Sequence, residues 1–217
     1  MSVAAIVPAL NEEKTIGDVI NVLVQSPLLS EVIVVSDGST DRTVHIAKEA
    51  GATVVEHSKT AGKGETMLTG VKSTKADIVV FFDADLRGFN LGHIEQLVLP
   101  VLNEAKVMNA GIRDRGPLLS FFSAHLPLIS GERAMKREII ENIPPQFLQG
   151  YMVESALNFY CRSKKMAYGS VLLSGLTIRT KVEKVGILHA VVQYIRMFVQ
   201  IVHAMLIVRL AHLIKKF

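Results

Sequence analysis

Two aspartates separated by one residue, Asp83-Ala84-Asp85, close a short apolar run, Val79-Val80-Phe81-Phe82. Carboxylates at that spacing offer hard oxygen donors, the ligands with which Mg²⁺ and Mn²⁺ bridge a diphosphate. The same residues can also cap a helix or close a turn, so the pair takes its meaning from where the chain places it. The run before it is rich in β-branched and aromatic residues and apolar at every position, the pattern of a buried strand in a parallel sheet. Ligands of open α/β sheets bind beyond the carboxyl ends of the strands. Asp83 and Asp85 are therefore candidate metal ligands and catalytic residues at the mouth of a site.

The elements that must hold them alternate. Val3–Ala9 reads as a strand, residues 12–25 as a helix, Glu31–Ser36 as a strand and residues 41–50 as a helix. A strand over 52–56, a helix over 62–73, the central strand over 77–82, a helix over Leu91–Leu102 and a strand over 106–111 follow. Such alternation implies right-handed βαβ units and a mostly parallel sheet flanked by helices, an α/β fold. Where a dinucleotide-binding dehydrogenase would carry its glycine fingerprint after the first strand, this chain has Pro8-Ala9-Leu10-Asn11-Glu12, which argues against that class. Beyond Gly111 the pattern loosens. A charged turn spans 113–117 and an apolar segment 118–129, and a helix-like stretch runs from Ser130-Gly131-Glu132-Arg133 to Pro144-Pro145. Residues 151–161 then read as a helix, 167–173 as a strand and 187–217 as the longest helical segment.

Composition sets further bounds. The chain has 217 residues, enough for one full domain, and a single cysteine, Cys161, so no internal disulfide can form and a reducing, cytoplasmic setting is expected. The seven histidines show no metal-ligand spacing, and no basic, apolar leader precedes Val3, so no signal peptide is expected. Charge is split. Residues 1–159 carry 14 Lys+Arg against 19 Asp+Glu, whereas residues 160–217 carry 10 against one, Glu183. A tail both basic and apolar favours an anionic phospholipid surface over nucleic acid. His189, Gln193, Arg196, Gln200 and His203 form a narrow polar stripe on it, and the 12 uncharged residues between Arg196 and Arg209 are too few to span a bilayer. Core packing, a peripheral membrane contact and a homodimer contact through 187–217 are all open to such a helix.

Three more motifs fall at the carboxyl ends of strands. Asp37, in Ser36-Asp37-Gly38-Ser39, can accept hydrogen bonds from a base or form an Asx-turn, with Asp41 the better placed helix cap. Glu12, after Pro8-Ala9-Leu10, is placed to stabilise a helix dipole as a first-turn acid. Gly62-Lys63-Gly64 presents backbone N–H groups and a cation at a helix start, which suits a diphosphate.

Together the four motifs closely resemble the family 2 glycosyltransferases of the GT-A fold, over residues 1–112 and more loosely to about residue 186. The resemblance implies one GT-A domain over 1–186, with a nucleotide-sugar half (1–112), an acceptor half (113–186) and an appended amphipathic helix (187–217). It implies that Pro8, Ala9, Leu10, Glu12, Asp37, Gly62, Lys63, Asp83 and Ala84 bind a UDP- or GDP-hexose, and that Asp83 and Asp85 hold Mg²⁺ or Mn²⁺. Two subgroups come closest. Gly111-Ile112-Arg113 and the stretch from Ser130 to Glu138 resemble the polyprenyl-phosphate sugar transferases. Gly62-Lys63-Gly64-Glu65, Asp83-Ala84-Asp85-Leu86, Gly131-Glu132 and Gly150-Tyr151-Met152-Val153-Glu154 resemble glucosyl-3-phosphoglycerate synthases. Both use a phosphorylated acceptor, for which Arg113, Arg115, Arg133 and Arg137 are candidate partners, although Arg137 is equally spaced to pair with Glu141. Glu154 is the candidate acceptor-side acid, as a base or to orient the sugar, and His189 is the nearest candidate for a late catalytic histidine. Hexose transfer to a lipid phosphate at the cytoplasmic membrane face is the first expectation. Transfer to a small phosphorylated acid, or a nucleotide-sugar-binding protein without turnover, are the alternatives.

Overall fold

The computed structural model describes residues 1–113, 130–148, 152–178 and 206–207. The expected alternation is present: Val3–Ala9, Glu31–Ser36 and Leu91–Leu102 match at both ends, and the other elements up to Arg113 differ by one to four residues at an end. β1 (Val3–Ala9), α1 (Ile16–Val24), β2 (Glu31–Ser36), α2 (Thr43–Glu49) and β3 (Thr53–Glu56) are followed by α3 (Lys63–Lys72) and β4 (Ile78–Phe81). β5 (Leu86–Arg87), α4 (Leu91–Leu102), β6 (Met108–Arg113), β7 (Arg133–Lys136), α5 (Arg137–Glu141), α6 (Met152–Ser163), β8 (Tyr168–Leu173) and β9 (Thr177–Ile178) complete the described elements.

The main sheet runs β3-β2-β1-β4-β7-β6-β8. From β1 the chain proceeds outward through β2 and β3, then returns to place β4 on the other side of β1. That reversal is the switch point at which α/β sheets open a ligand crevice. The central strands β1, β2 and β4 are apolar on both faces because both faces are covered. Val80 and Phe82 join the cluster under α1 and α4, while Val79 and Phe81 join the cluster under α3, α5 and α6.

One segment departs from the sequence reading. The stretch after Ser130 is not helical throughout: Arg133–Lys136 is β7, antiparallel to both β4 and β6, and only Arg137–Glu141 is helical. Arg, Ala, Met and Lys are good helix formers, but a slot between two strands overrides so short a preference. Because β7 runs backwards, Arg133 and the residues before it lie at the carboxyl edge of β4, while Lys136 pairs with Ile78 at the opposite edge. A second difference is the small β5–β9 sheet, which binds the segment after Asp85 to residues 177–178.

Of the expected long tail helix, only Leu206 and Ile207 are described. Both are helical, and Ile207 packs partly buried against the core cluster that includes α6. Among the described residues no helix is long and apolar enough to cross a membrane.

The approach of α3 to the sheet sets where Lys63 stands. A Cβ added at Gly70 would overlap the Ile6 Cγ2 methyl of β1. Gly70→Ala is expected to destabilise the fold by about 1–3 kcal/mol through overpacking, outweighing the gain in helix propensity. Urea denaturation of the purified variant checks this.

Candidate active site

Each loop at the carboxyl edge is tied to its neighbour. Asn11, at φ 53, donates its backbone N–H to Ser39 Oγ (3.1 Å) and accepts from Thr40 N–H at Oδ1 (2.8 Å). Glu12 N–H donates to Thr43 Oγ1 (2.8 Å), and Glu13 N–H to Asp41 Oδ2 (3.2 Å). Loops after β1 and β2 therefore form one rim, with Leu10 exposed on it and Ala9 buried behind it.

Asp37 binds the next loop into that rim. Its Oδ1 accepts from Ala61 N–H (2.8 Å) and sits 3.2 Å from His57 Nδ1, and its Oδ2 accepts from Gly62 N–H (2.9 Å). Burial alone would raise its pKa, but the N–H groups of Ala61 and Gly62 with His57 and Thr66 outweigh it and hold the carboxyl below its ordinary range. Gly62, at φ 93, makes the left-handed turn from which α3 starts. The observed work of Asp37 is thus to anchor the turn that presents Lys63, and a nucleotide contact would be additional.

Lys63 reaches Asp83. Lys63 Nζ lies 3.0 Å from Asp83 Oδ1, and Arg113 Nη2 lies 2.6 Å from Asp83 Oδ2. Behind them Glu132 Oε2 accepts from Arg113 Nε (2.9 Å) and from Ser130 Oγ (2.8 Å). Burial would raise the Asp83 pKa, but the charges of Lys63 and Arg113 bring it far below the ordinary carboxylate range. Desolvation works against the Lys63 ammonium, yet Asp83, Glu154 and Glu132 together push its pKa above normal. Glu132 is the exception. Burial, with the charge of Asp83 beside it, raises its pKa despite Arg113. Asp85, two residues after Asp83, is half-buried.

Placement corrects part of the acceptor assignment. Arg113 is buried and committed to Asp83 and Glu132, so it belongs to the aspartate cluster rather than to an open phosphate pocket. Arg133 is 1% exposed, donating to the Ser130 carbonyl (3.2 Å) beneath the site. Arg137 lies at the far edge of the sheet, 3.4 Å from Glu141 and bonded to the Thr74 carbonyl. Arg115 and His189 fall outside the described residues. Glu154 enters from α6, buried, near enough for its charge to act on both Lys63 and Arg133. Cys161 on the same helix has its thiol pushed up to about 11 by burial, which leaves it an unreactive core residue.

Residues 4–168 match the profile of Glycosyl transferase family 2. This chain belongs to that family. Its fold is accordingly GT-A, and the chain is 31% identical to the glucosyl-3-phosphoglycerate synthase of Petrotoga mobilis over 84% of its own length and 66% of that protein. It is 33% identical to the synthase of Mycolicibacterium paratuberculosis over 72% of its length and 58% of that protein. The family 2 chain thus spans less than two thirds of the length of these relatives. The Mycobacterium tuberculosis synthase in complex with Mn²⁺, UDP and glucosyl-3-phosphoglycerate superposes with a TM-score of 0.78 at 29% identity, covering 95% of this chain and 79% of that one. The same enzyme with Mn²⁺, UDP-glucose and phosphoglyceric acid gives 0.76 at 29% identity, with the same coverage.

Three participants were given no role by motif reading. Glu132 and Ser130 stood only within quoted motifs, because their contacts depend on β7 lying between β4 and β6. His57 had no signal beyond its place one residue after β3.

The Asp37 anchor has a pH signature. Its lowered pKa contributes stability that is complete above the unfolded value near 3.8 and lost as pH falls through the lower folded value. Asp37→Asn lacks this contribution. Wild type is expected to exceed the variant most near neutrality and to converge with it as pH drops below about 4, as measured by denaturant titrations at several pH values.

Proposed function

We propose that this chain transfers glucose from UDP-glucose to 3-phosphoglycerate, in the cytoplasm, with Mg²⁺ or Mn²⁺ as cofactor. The observation that carries the reading is the 3.0 Å contact between Lys63, the first residue of α3, and Asp83 at the end of β4. It joins a phosphate-binding helix start to a carboxylate pair. The likeness to synthases holding UDP-glucose and phosphoglyceric acid supports the choice of substrates.

The residues fit a divalent ion. Asp83 and Asp85 supply hard oxygens, and each Asp83 oxygen, though already engaged by a cation, has a second lone pair. Among the described residues no third His, Cys, Asp or Glu closes a metal cage around them. Magnesium is commonly held by one or two carboxylates with substrate phosphates completing the shell. When bound, the ion supplies neutralisation of the departing nucleoside diphosphate.

The chain's own groups then have distinct tasks. Lys63 and the first N–H groups of α3 take a phosphate, and Pro8, Ala9, Leu10, Glu12 and Asp37 border the nucleoside, with Ala84 beside the diphosphate. Glu154 faces the acceptor side. A phosphoglycerate hydroxyl must lose its proton on transfer, and an acid there can orient it or accept that proton. A lipid phosphate would give Glu154 no such task, since it is already ionised. Packing of Ile207 on the protein's own core also weakens the membrane role expected of the tail.

UDP release from UDP-glucose with Mn²⁺ tests the proposal. Stimulation by 3-phosphoglycerate is expected, lost on chelation and reduced about 10²-fold or more in Asp83→Asn. Stimulation by polyprenyl phosphate alone would replace the acceptor. Silence with both would reject this pairing of donor and acceptor.

A further inference from the structure

We propose that Glu132 is a positioning residue that sets the Arg113 guanidinium and, through it, Asp83. The proposal deepens the donor-site reading above and rests on it.

Glu132 is fully buried at 0% exposure, so it meets no ligand itself. It receives Arg113 Nε at 2.9 Å, while the outer Nη2 of the same guanidinium reaches Asp83 Oδ2 at 2.6 Å. A planar fork gripped at its inner nitrogen cannot swing away from the carboxylate at its outer one. Ser130 Oγ shares Glu132 Oε2 at 2.8 Å, which fixes that oxygen in turn. The Glu132 carbonyl accepts from Gly111 N–H at 2.8 Å, pinning the residue between β6 and β7.

Gly131 completes the device. A Cβ there would stand 2.5 Å from Asp83 Oδ1 and 2.6 Å from Oδ2, so the backbone entering β7 lies directly against the carboxylate. Three consecutive residues therefore serve Asp83: Ser130 steadies Glu132, Gly131 admits the carboxylate, and Glu132 aims the arginine. Glu132 Oε1 is buried without a hydrogen-bond partner among the described residues. An ion pair so placed is a poor source of stability. Its use is to fix a position.

Calorimetric titration of UDP in the presence of Mn²⁺ provides the test. Glu132→Ala is expected to weaken binding about tenfold or more. Glu132→Gln, which keeps the shape and an acceptor for Arg113 Nε, is expected to recover part of the loss and serves as the folded reference should the alanine variant not fold. In an Arg113→Met background, removing Glu132 is expected to cost less than about twofold, because Glu132 acts through that arginine. Losses that simply add would overturn the proposal. If the wild type does not bind UDP with Mn²⁺, the donor reading fails by itself, and Glu132 is judged by the Arg113 Nε–H resonance. The proposal requires slow exchange in the wild type and fast exchange once Glu132 is replaced, and equal exchange in both would sink it.

Discussion

The Asp83 carboxylate, held between Lys63 and Arg113, is the contact on which the rest of the carboxyl edge depends. Lys63 comes from the start of α3, Arg113 from the end of β6 and Asp83 from just beyond β4. A half-buried anion in this position is tolerable because two cations meet its two oxygens. In exchange it ties the start of α3, the end of β6 and the segment after β4 to one another. The opposed pKa displacements of Asp83 and Lys63 have one cause, the attraction that keeps both ionised.

Sheet order makes that meeting possible. The return of the chain to β4 opens the crevice, and the reversal of β7 brings Ser130, Gly131 and Glu132 to the same edge. Had β7 run parallel to β4, its entry would have lain at the opposite edge, where Arg137 pairs with Glu141. Asp37 performs a matching task on the other flank, where its two N–H acceptances set the turn before α3.

The fold of the first half of the chain was readable from sequence because its signals are local. Continuous apolar runs, Gly62 before a helix and aspartates at strand ends each state their meaning within a few residues. Beyond Gly111 the fold was not, since the decisive fact there is non-local: Arg133–Lys136 is a strand only because β4 and β6 flank it. Arg133 and Arg137 were expected at an acceptor phosphate from the resemblance, but one is buried and the other lies at the far edge. Arg113 was expected to meet an acceptor phosphate, but its partners are Asp83 and Glu132, which only the fold could reveal. The basic tail invited a membrane partner on composition alone; of its two described residues, Ile207 packs partly buried against the core and Leu206 is exposed.

A crystal structure of this protein grown with Mn²⁺ and UDP tests the central claim most directly. The account predicts an anomalous manganese peak beside Asp83 and Asp85, with a diphosphate oxygen within hydrogen-bonding distance of Lys63. Manganese and nucleotide bound elsewhere, with the Lys63–Asp83–Arg113 cluster unchanged, would contradict it.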